Sequence, residues 1–164
     1  MLGRIVDEAA ARFGDATALV SPDGMAVSFD ELATASDEVA AGLAEQGIGE
    51  GDVVALLLGA DPAYVIASLG AAKAGAITAG VNTRLTTSEQ AAVLAAASPR
   101  LVLATARRSV PALDPSVALV AVEPTDRPDG VLGELRVRGG TPPVVDDDPE
   151  RPVAIVFTSG TTGL

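Results

Sequence analysis

Apolar positions along the chain follow two spacings, one typical of helices and one of strands. Near the N-terminus Ile5, Ala9 and Phe13 recur every four residues, which predicts a helix over about 3–13 with these side chains on its apolar face. Two short apolar runs then flank Ser21-Pro22-Asp23-Gly24. Because Pro-Asp-Gly favours a tight turn, these runs predict a small hairpin.

Residues that cap helices mark three further helix starts. Ser28 with Glu31, and Thr86 with Glu89, have the spacing of a capping box, in which a hydroxyl and a carboxylate satisfy free backbone amides. Asp61 precedes Pro62, which suits a first helical turn because proline lacks an amide donor. The helix that follows Ser28 is expected to bury the stripe Leu32, Ala35, Val39, Ala40 and Leu43.

The continuous apolar run 53–58 predicts a strand that is covered on both faces. Further strands are predicted at 76–79, 101–104, 117–122 and 153–157, the last of them fully apolar and buried. Strands that alternate with helices predict an α/β fold, with a mostly parallel sheet and helices on both of its faces. Segment 131–137 could form a short helix or a strand, and we favour the helix. No domain boundary is indicated inside the chain.

Charge and composition exclude several kinds of partner and of catalytic or metal site. There are 22 acidic residues against 11 basic ones, a net charge of −11 that disfavours nucleic acid or an anionic membrane as partner. The absence of cysteine and histidine excludes disulfides, zinc-thiolate sites and a Ser-His-Asp triad within the chain. Asp146 to Glu150 is interpreted as a solvated linker with no metal role.

The weakly charged span 62–81 is long enough to cross a bilayer, but its glycines and Lys73 argue against that. We expect instead a buried helix followed by a buried strand, and therefore no integral membrane segment. The N-terminal sequence reaches Asp7 and Glu8 before any apolar run that could serve as a signal peptide. A cytoplasmic protein is the resulting expectation.

The strand at 153–157 leads directly into Thr158-Ser159-Gly160-Thr161-Thr162-Gly163-Leu164. Glycines that let the backbone approach closely, together with four hydroxyls, suit phosphate oxygens at the carboxyl end of a strand. Gly160 and Gly163 are three positions apart, whereas the common nucleoside-triphosphatase loop needs five. Composition alone leaves two readings open, a phosphate site and an ordinary strand-to-helix turn.

This terminal stretch resembles the start of the Thr-Ser-Gly-Thr-Thr-Gly-x-Pro-Lys-Gly signature of adenylate-forming enzymes, which include acyl-CoA synthetases, nonribosomal adenylation domains and luciferases. Upstream stretches at 28–32, 49–55, 71–76 and 82–85 are similar to the family in the same order. Asn82-Thr83-Arg84-Leu85 is most like fatty-acyl and related acyl-CoA synthetases. Gly80 departs from the pattern by replacing the usual proline, and Ala97-Ser98 replaces a common Asp-Ser.

The resemblance implies an enzyme that activates a carboxylic or fatty acid with MgATP and transfers the acyl group to coenzyme A. ATP, Mg2+ and coenzyme A are the implied cofactors of the complete enzyme. Within this chain the resemblance implies no catalytic residue and no metal ligand. Lys73, with its amine extended to solvent, and Arg84 are interpreted as structural. The implied ATP-phosphate ligands are Thr158, Ser159, Gly160, Thr161, Thr162 and Gly163.

The family is several hundred residues longer than this chain, so 1–164 resembles the N-terminal portion of its large domain, without the rest of that domain or the C-terminal lid. We expect this portion alone to be inactive and to expose an apolar face where the remainder packs. The expected partners are a small carboxylic acid, the remaining part of the same enzyme and, as a further candidate, a second copy. Two alternatives remain: an adenylation domain or acyl-AMP ligase acting without free coenzyme A, and a noncatalytic binding or dimerisation module.

Overall fold

The structure, a computed structural model, describes residues 2–106, 109–146 and 148–157. The helices are α1 (Leu2–Phe13), α2 (Phe29–Glu45), α3 (Pro62–Lys73) and α4 (Thr87–Ala97). The strands are β1 (Thr17–Val20), β2 (Ala26–Ser28), β3 (Val53–Leu57), β4 (Ile77–Gly80), β5 (Leu101–Thr105), β6 (Ala118–Val122) and β7 (Ala154–Ile155).

The main sheet is parallel throughout, with strand order β6-β5-β3-β4-β7, whereas β1 and β2 form a separate antiparallel hairpin. The predicted α/β class and the hairpin are therefore confirmed. From β3 the chain passes through α3 to β4 on one side, and then through α4 to β5 on the other side of β3. Such a reversal is where open α/β sheets bind ligands, beyond the carboxyl ends of the strands.

Two apolar cores lie on opposite faces of this sheet. Side chains alternate along β3, so that Val54 and Leu56 enter the core built with α1, α2 and α3. Ala55 and Leu57 enter the core built with α4. The covering of both faces, predicted from the continuous apolar run, is confirmed because this central strand has no solvent-facing side.

The predicted caps are all present. Glu31 N donates to Ser28 Oγ at 3.2 Å, and Ser28 N donates to Glu31 Oε2 at 2.8 Å. Thr86 and Glu89 form the same arrangement at the start of α4, where hydrogen bonds from the Thr86 hydroxyl and amide lower the pKa of the Glu89 carboxyl. Asp61 caps α3 and accepts from the backbone amide of the third residue beyond it. The predicted apolar stripe of α2 is buried throughout.

The apolar face predicted for α1 is wrong. Ile5 and Phe13 are 59% and 45% exposed, whereas Val6 is the buried side chain of this helix. Instead the Gly3 side of the helix packs against α3, where a Cβ at Gly3 would be 2.9 Å from the Cγ of Lys73. The spacing predicted the helix but not the face that packs.

The expected solvent orientation of the Lys73 amine is also wrong. Its side chain is only 4% exposed, and Nζ donates to Asp7 Oδ1 at 2.5 Å and to Asp37 Oδ1. These partners lie on α1 and α2, so one lysine joins three helices. The helix and strand expected at 62–81 are α3 and β4, which account for most of that span. No helix in the described part of the chain is long and apolar enough to cross a membrane.

Segment 131–137 forms neither the favoured helix nor a strand. After a single 3-10 turn at Pro128–Gly130, the chain makes successive turns, and Leu132 adopts a left-handed φ of 56°. Val137 N donates to Glu38 O at 3.1 Å, which draws the segment onto α2. This long-range contact, together with burial of Leu132 and Leu135, explains why local propensity was not decisive.

The last predicted strand is much shorter and more exposed than expected. Among the described residues β7 comprises Ala154–Ile155 and pairs with β4. Thr78 N donates to Val153 O at 3.0 Å just before it. Val156 and Phe157 are 82% and 37% exposed. The expected burial of this strand is wrong because β7 is the outermost strand of the sheet within the described residues.

Candidate functional site

A cavity at the carboxyl edge of the sheet lies where β3, β4 and β7 end. Its volume is about 540 Å3. Leu58 and Val81 form part of its apolar wall, and Ile155 and Phe157 line it from the side of β7. We name it the β4–β7 cavity. Its position beyond parallel strands is the position at which α/β sheets bind ligands.

The phosphate-loop residues proposed from the sequence, Thr158, Ser159, Gly160, Thr161, Thr162 and Gly163, lie outside the described residues. Their role therefore stays a prediction. The structure describes the strand that leads to them, and Phe157, the residue immediately before Thr158, lines the β4–β7 cavity. The cavity and the predicted loop are thus adjacent along the chain.

Tyr64 contributes a phenol to this cavity from the first turns of α3. Its hydroxyl lies over Gly80 at the end of β4, and a Cβ at position 80 would be only 2.7 Å from Tyr64 Oη. Gly80 replaces the proline that is usual in the resembled family, so this chain has room for the phenol where a side chain would obstruct it. No sequence pattern singles out Tyr64, since the contact joins a helix to a strand that follows it.

The turn after β4 places Arg84 at the cavity. Asn82 Oδ1 accepts from Arg84 N at 2.9 Å, and Leu85 N donates to Asn82 O at 3.2 Å. These bonds shape a tight turn between β4 and the cap of α4, and Asn82, Thr83 and Arg84 all line the cavity. The Asn-x-Arg-Leu stretch therefore borders the candidate site.

The described lining of the β4–β7 cavity contains no aspartate or glutamate. Its polar groups are the hydroxyl of Tyr64, the hydroxyl of Thr78, the turn at 82–84 and its arginine. In the part of the chain that the structure describes, no three carboxylates approach one another closely enough to hold a metal ion. The cavity therefore suits an anion rather than a cation.

A smaller cavity of about 310 Å3 lies beyond the ends of β3, β5 and β6. Val122 and Leu132 belong to its apolar wall, and Asp23, Asp61 and Glu123 stand around it. The Ser21 hydroxyl donates to Asp23 and lowers the pKa of that carboxyl. Three carboxylates disfavour phosphate, so this cavity is the poorer candidate for a nucleotide.

Comparison with known proteins agrees with this geometry. A family model described as AMP-binding enzyme matches residues 6–164. 4-Coumarate–CoA ligase 2 of Petroselinum crispum is 29% identical over 93% of the chain and 29% of the ligase. Medium/long-chain-fatty-acid–CoA ligase FadD6 of Mycobacterium tuberculosis is 40% identical over 49% of the chain and 13% of the ligase. The chain thus spans less than a third of either ligase.

Among solved structures, the N-terminal subdomain of Klebsiella oxytoca NpsA in complex with 3-hydroxybenzoyl-AMSN matches with a TM-score of 0.78 and 29% identity. The match covers 98% of this chain and 38% of that one. It confirms that the parallel sheet and its helices form the N-terminal subdomain fold of adenylate-forming enzymes. With the family model matching almost from end to end, the chain belongs to the family of AMP-binding enzymes.

Proposed function

We propose that the complete polypeptide containing this chain is an acid–thiol ligase that makes acyl-CoA thioesters. The match to AMP-binding enzymes over residues 6–164 is the observation that carries the proposal. The similarity to two CoA ligases and the resemblance of Asn82-Thr83-Arg84-Leu85 to acyl-CoA synthetases support coenzyme A as the acceptor. The remaining part of the same polypeptide is the partner that would complete the active site.

In the proposed reaction a carboxylate oxygen of the acid attacks the α-phosphorus of ATP, and the bond to the β-phosphate breaks to release pyrophosphate. The thiolate of coenzyme A then attacks the acyl carbon, and AMP leaves as the thioester forms. The chemical difficulty of the first step is negative charge on the phosphates, which fixed donors stabilise. In this chain the hydroxyls and glycine amides of 158–163 would supply such donors.

The described residues do not supply a site for the Mg2+ that accompanies ATP. No carboxylate lines the β4–β7 cavity, and carboxylates are the protein ligands that Mg2+ prefers. The described part of this chain therefore contributes no carboxylate ligand to Mg2+ at this cavity. Its proposed contribution is to hold phosphates at the end of β7 and to form one wall of the acid and nucleotide site.

The likeness to the NpsA subdomain favours a second candidate, an adenylation domain that passes the acyl group to a carrier protein. Both candidates share adenylate formation and differ only in the thiol acceptor. One experiment separates them: the complete protein is assayed for ATP–pyrophosphate exchange with hydroxycinnamic, benzoic and fatty acids. With the best acid, thioester formation is then compared between coenzyme A and a phosphopantetheinylated carrier protein.

We expect exchange with at least one acid and thioester formation on coenzyme A. Thr161→Ala should lower the exchange rate about tenfold or more, because it removes a donor to the phosphates. Thr17→Ala, on the exposed hairpin strand β1, is the matched control and should leave the rate unchanged. Absence of exchange with every acid would overturn the proposed function. Transfer only to the carrier protein would favour the adenylation domain.

A further inference from the structure

We propose that Arg84 and Tyr64, neither of which belongs to the predicted phosphate loop, form an anion-binding subsite in the β4–β7 cavity. The subsite would take an oxyanion, either a phosphate group or a carboxylate. Its identity as a substrate subsite rests on the proposed function, whereas its preference for anions rests on the charges and contacts of the cavity itself.

The first observation is that the Arg84 guanidinium has no partner among the described residues. Its backbone amide is bonded to Asn82, but its side chain makes no hydrogen bond or ion pair there. Arg12 lies over the ring of Phe13. Each of the other described arginines has a carboxylate oxygen at most 3.6 Å away: Arg4, Arg100, Arg127, Arg136, Arg138 and Arg151.

An unpaired arginine is unusual for this chain because acidic residues outnumber basic ones two to one. Arg84 lines a cavity whose described walls have no carboxylate, so its charge is not neutralised there. A guanidinium binds carboxylate and phosphate oxygens through two parallel hydrogen bonds, which makes it well suited to such a place.

The second observation is the position of the Tyr64 hydroxyl. The phenol lines the same cavity, and its Oη has no hydrogen-bond partner in the described part of the chain. Gly80 makes room for it, since a Cβ there would approach Oη to 2.7 Å. A phenol hydroxyl without a partner can donate to an oxyanion that Arg84 holds by charge.

The apolar walls of the cavity restrict the part of the ligand to which the oxyanion is attached. Leu58, Val81, Ile155 and Phe157 are apolar and line the same cavity. A carboxylate on an apolar or planar molecule therefore fits both the polar groups and the apolar wall of the cavity. The phosphate end of a nucleotide also fits, if the rest of the nucleotide extends out of the cavity. The carboxylate and the phosphate would make the same contacts with Arg84 and differ in the molecule to which the anion is attached.

Titration calorimetry on the complete protein tests the subsite with two probes, pyrophosphate and benzoate, at low and at physiological ionic strength. We expect Arg84→Gln to weaken the binding of at least one probe about fivefold or more, and Arg84→Lys to recover part of the loss. Tyr64→Phe should weaken the same probe by a smaller factor. The loss should shrink as salt rises, because the contact is electrostatic and partly exposed.

Arg127→Gln is the matched control, because it removes an exposed arginine that does not line this cavity. Loss of pyrophosphate affinity identifies a phosphate subsite, and loss of benzoate affinity identifies a carboxylate subsite. The inference is overturned if Arg84→Gln binds both probes within about twofold of the parent protein, as the control does, or if the parent binds neither.

These outcomes are independent of the proposed function. If no acid supports ATP–pyrophosphate exchange but pyrophosphate binding still depends on Arg84, the ligase proposal fails and the anion subsite stands. If exchange is normal and neither affinity nor KM responds to Arg84→Gln, the subsite fails and the ligase proposal stands. Thermal melts of each variant establish that it is folded.

Discussion

Glu38 on α2 and Arg136, 98 residues later, form a buried ion pair with 2.7 Å between Oε2 and Nε. Their side chains are 7% and 5% exposed. The second oxygen of the carboxylate accepts from Gly139 N at 2.8 Å, and Arg138 Nη1 lies 3.6 Å from Oε2. This one glutamate therefore fastens the irregular segment 136–139 to the helix.

Removal of the arginine should destabilise the chain strongly. Arg136→Met leaves the Glu38 carboxylate buried without its nearest cation, and we expect the free energy of unfolding to fall by about 3 kcal/mol in urea titrations at neutral pH. Arg127→Met is the control, because it breaks the exposed pair with Asp129 and should change stability little. Equal effects of the two substitutions would contradict a special role for the buried pair.

The same carboxylate should make stability depend on pH. Burial by itself raises the pKa of Glu38, but the hydrogen bond from Gly139 and the charges of Arg136 and Arg138 lower it below its ordinary value of 4.5. A pKa that is lower in the folded chain means that stabilisation is complete above the unfolded value and is lost as pH falls through the folded value.

Unfolding free energies of the parent chain and of Glu38→Gln, measured from neutral pH to about pH 3, test this sign. The advantage of the parent should be constant near neutrality and should narrow below pH 4.5. An advantage that stays constant through the acid range would show that the carboxylate does not titrate differently in the folded chain.

Gly42 should resist substitution although it lies inside a helix. The position faces the backbone of Leu135, and a Cβ would overlap its carbonyl oxygen. Alanine favours helices over glycine by about 1 kcal/mol, so propensity alone predicts that Gly42→Ala stabilises α2. We expect a net loss in urea titrations instead, because the segment that carries Leu135 is held by Glu38. Ala44→Gly, at an exposed position of the same helix, measures propensity alone.

Local chemistry was sufficient to predict most elements of the fold. Three helices begin at residues whose side chains contact the residue three positions later: Ser28, Asp61 and Thr86. A short stretch of sequence is therefore enough to predict each of these helix starts. The parallel sheet likewise follows from apolar runs that need cover on both faces. The phosphate loop is likewise predicted from a short contiguous motif, through its resemblance to the family signature.

Features that depend on distant contacts were not predictable in this way. The turns at 131–137 are bound to Glu38 through Arg136 and Val137, and the burial of Lys73 is accompanied by ion pairs to aspartates on two other helices. Tyr64 and Arg84 line one cavity only because α3, β4 and the following turn assemble around it. No spacing along the chain reveals such an arrangement.

Lys73 should hold α1 against the rest of the chain. Its amine donates to Asp7 on α1 and to Asp37 on α2, and the lysine side chain is almost fully buried. Asp7→Asn should therefore speed hydrogen exchange of the α1 amides while amides of the central strand stay protected. Glu8→Gln removes a neighbouring, exposed carboxylate paired with Arg4 and is the control. Equal exchange in both variants would assign no anchoring role to the lysine.

The exposed end of the sheet should make the isolated chain prone to association. Val156, just beyond β7, is 82% exposed, and β7 is an outer strand with apolar Val153 and Phe157 beside it. Unpaired strand edges with apolar side chains pair with other chains unless a charge blocks them. Sedimentation velocity over a concentration series should show self-association that Val156→Lys reduces. Val144→Lys adds the same charge at a fully exposed valine outside any strand and should not. A parent chain that stays monomeric and binds no hydrophobic dye would show that this edge does not attract partners.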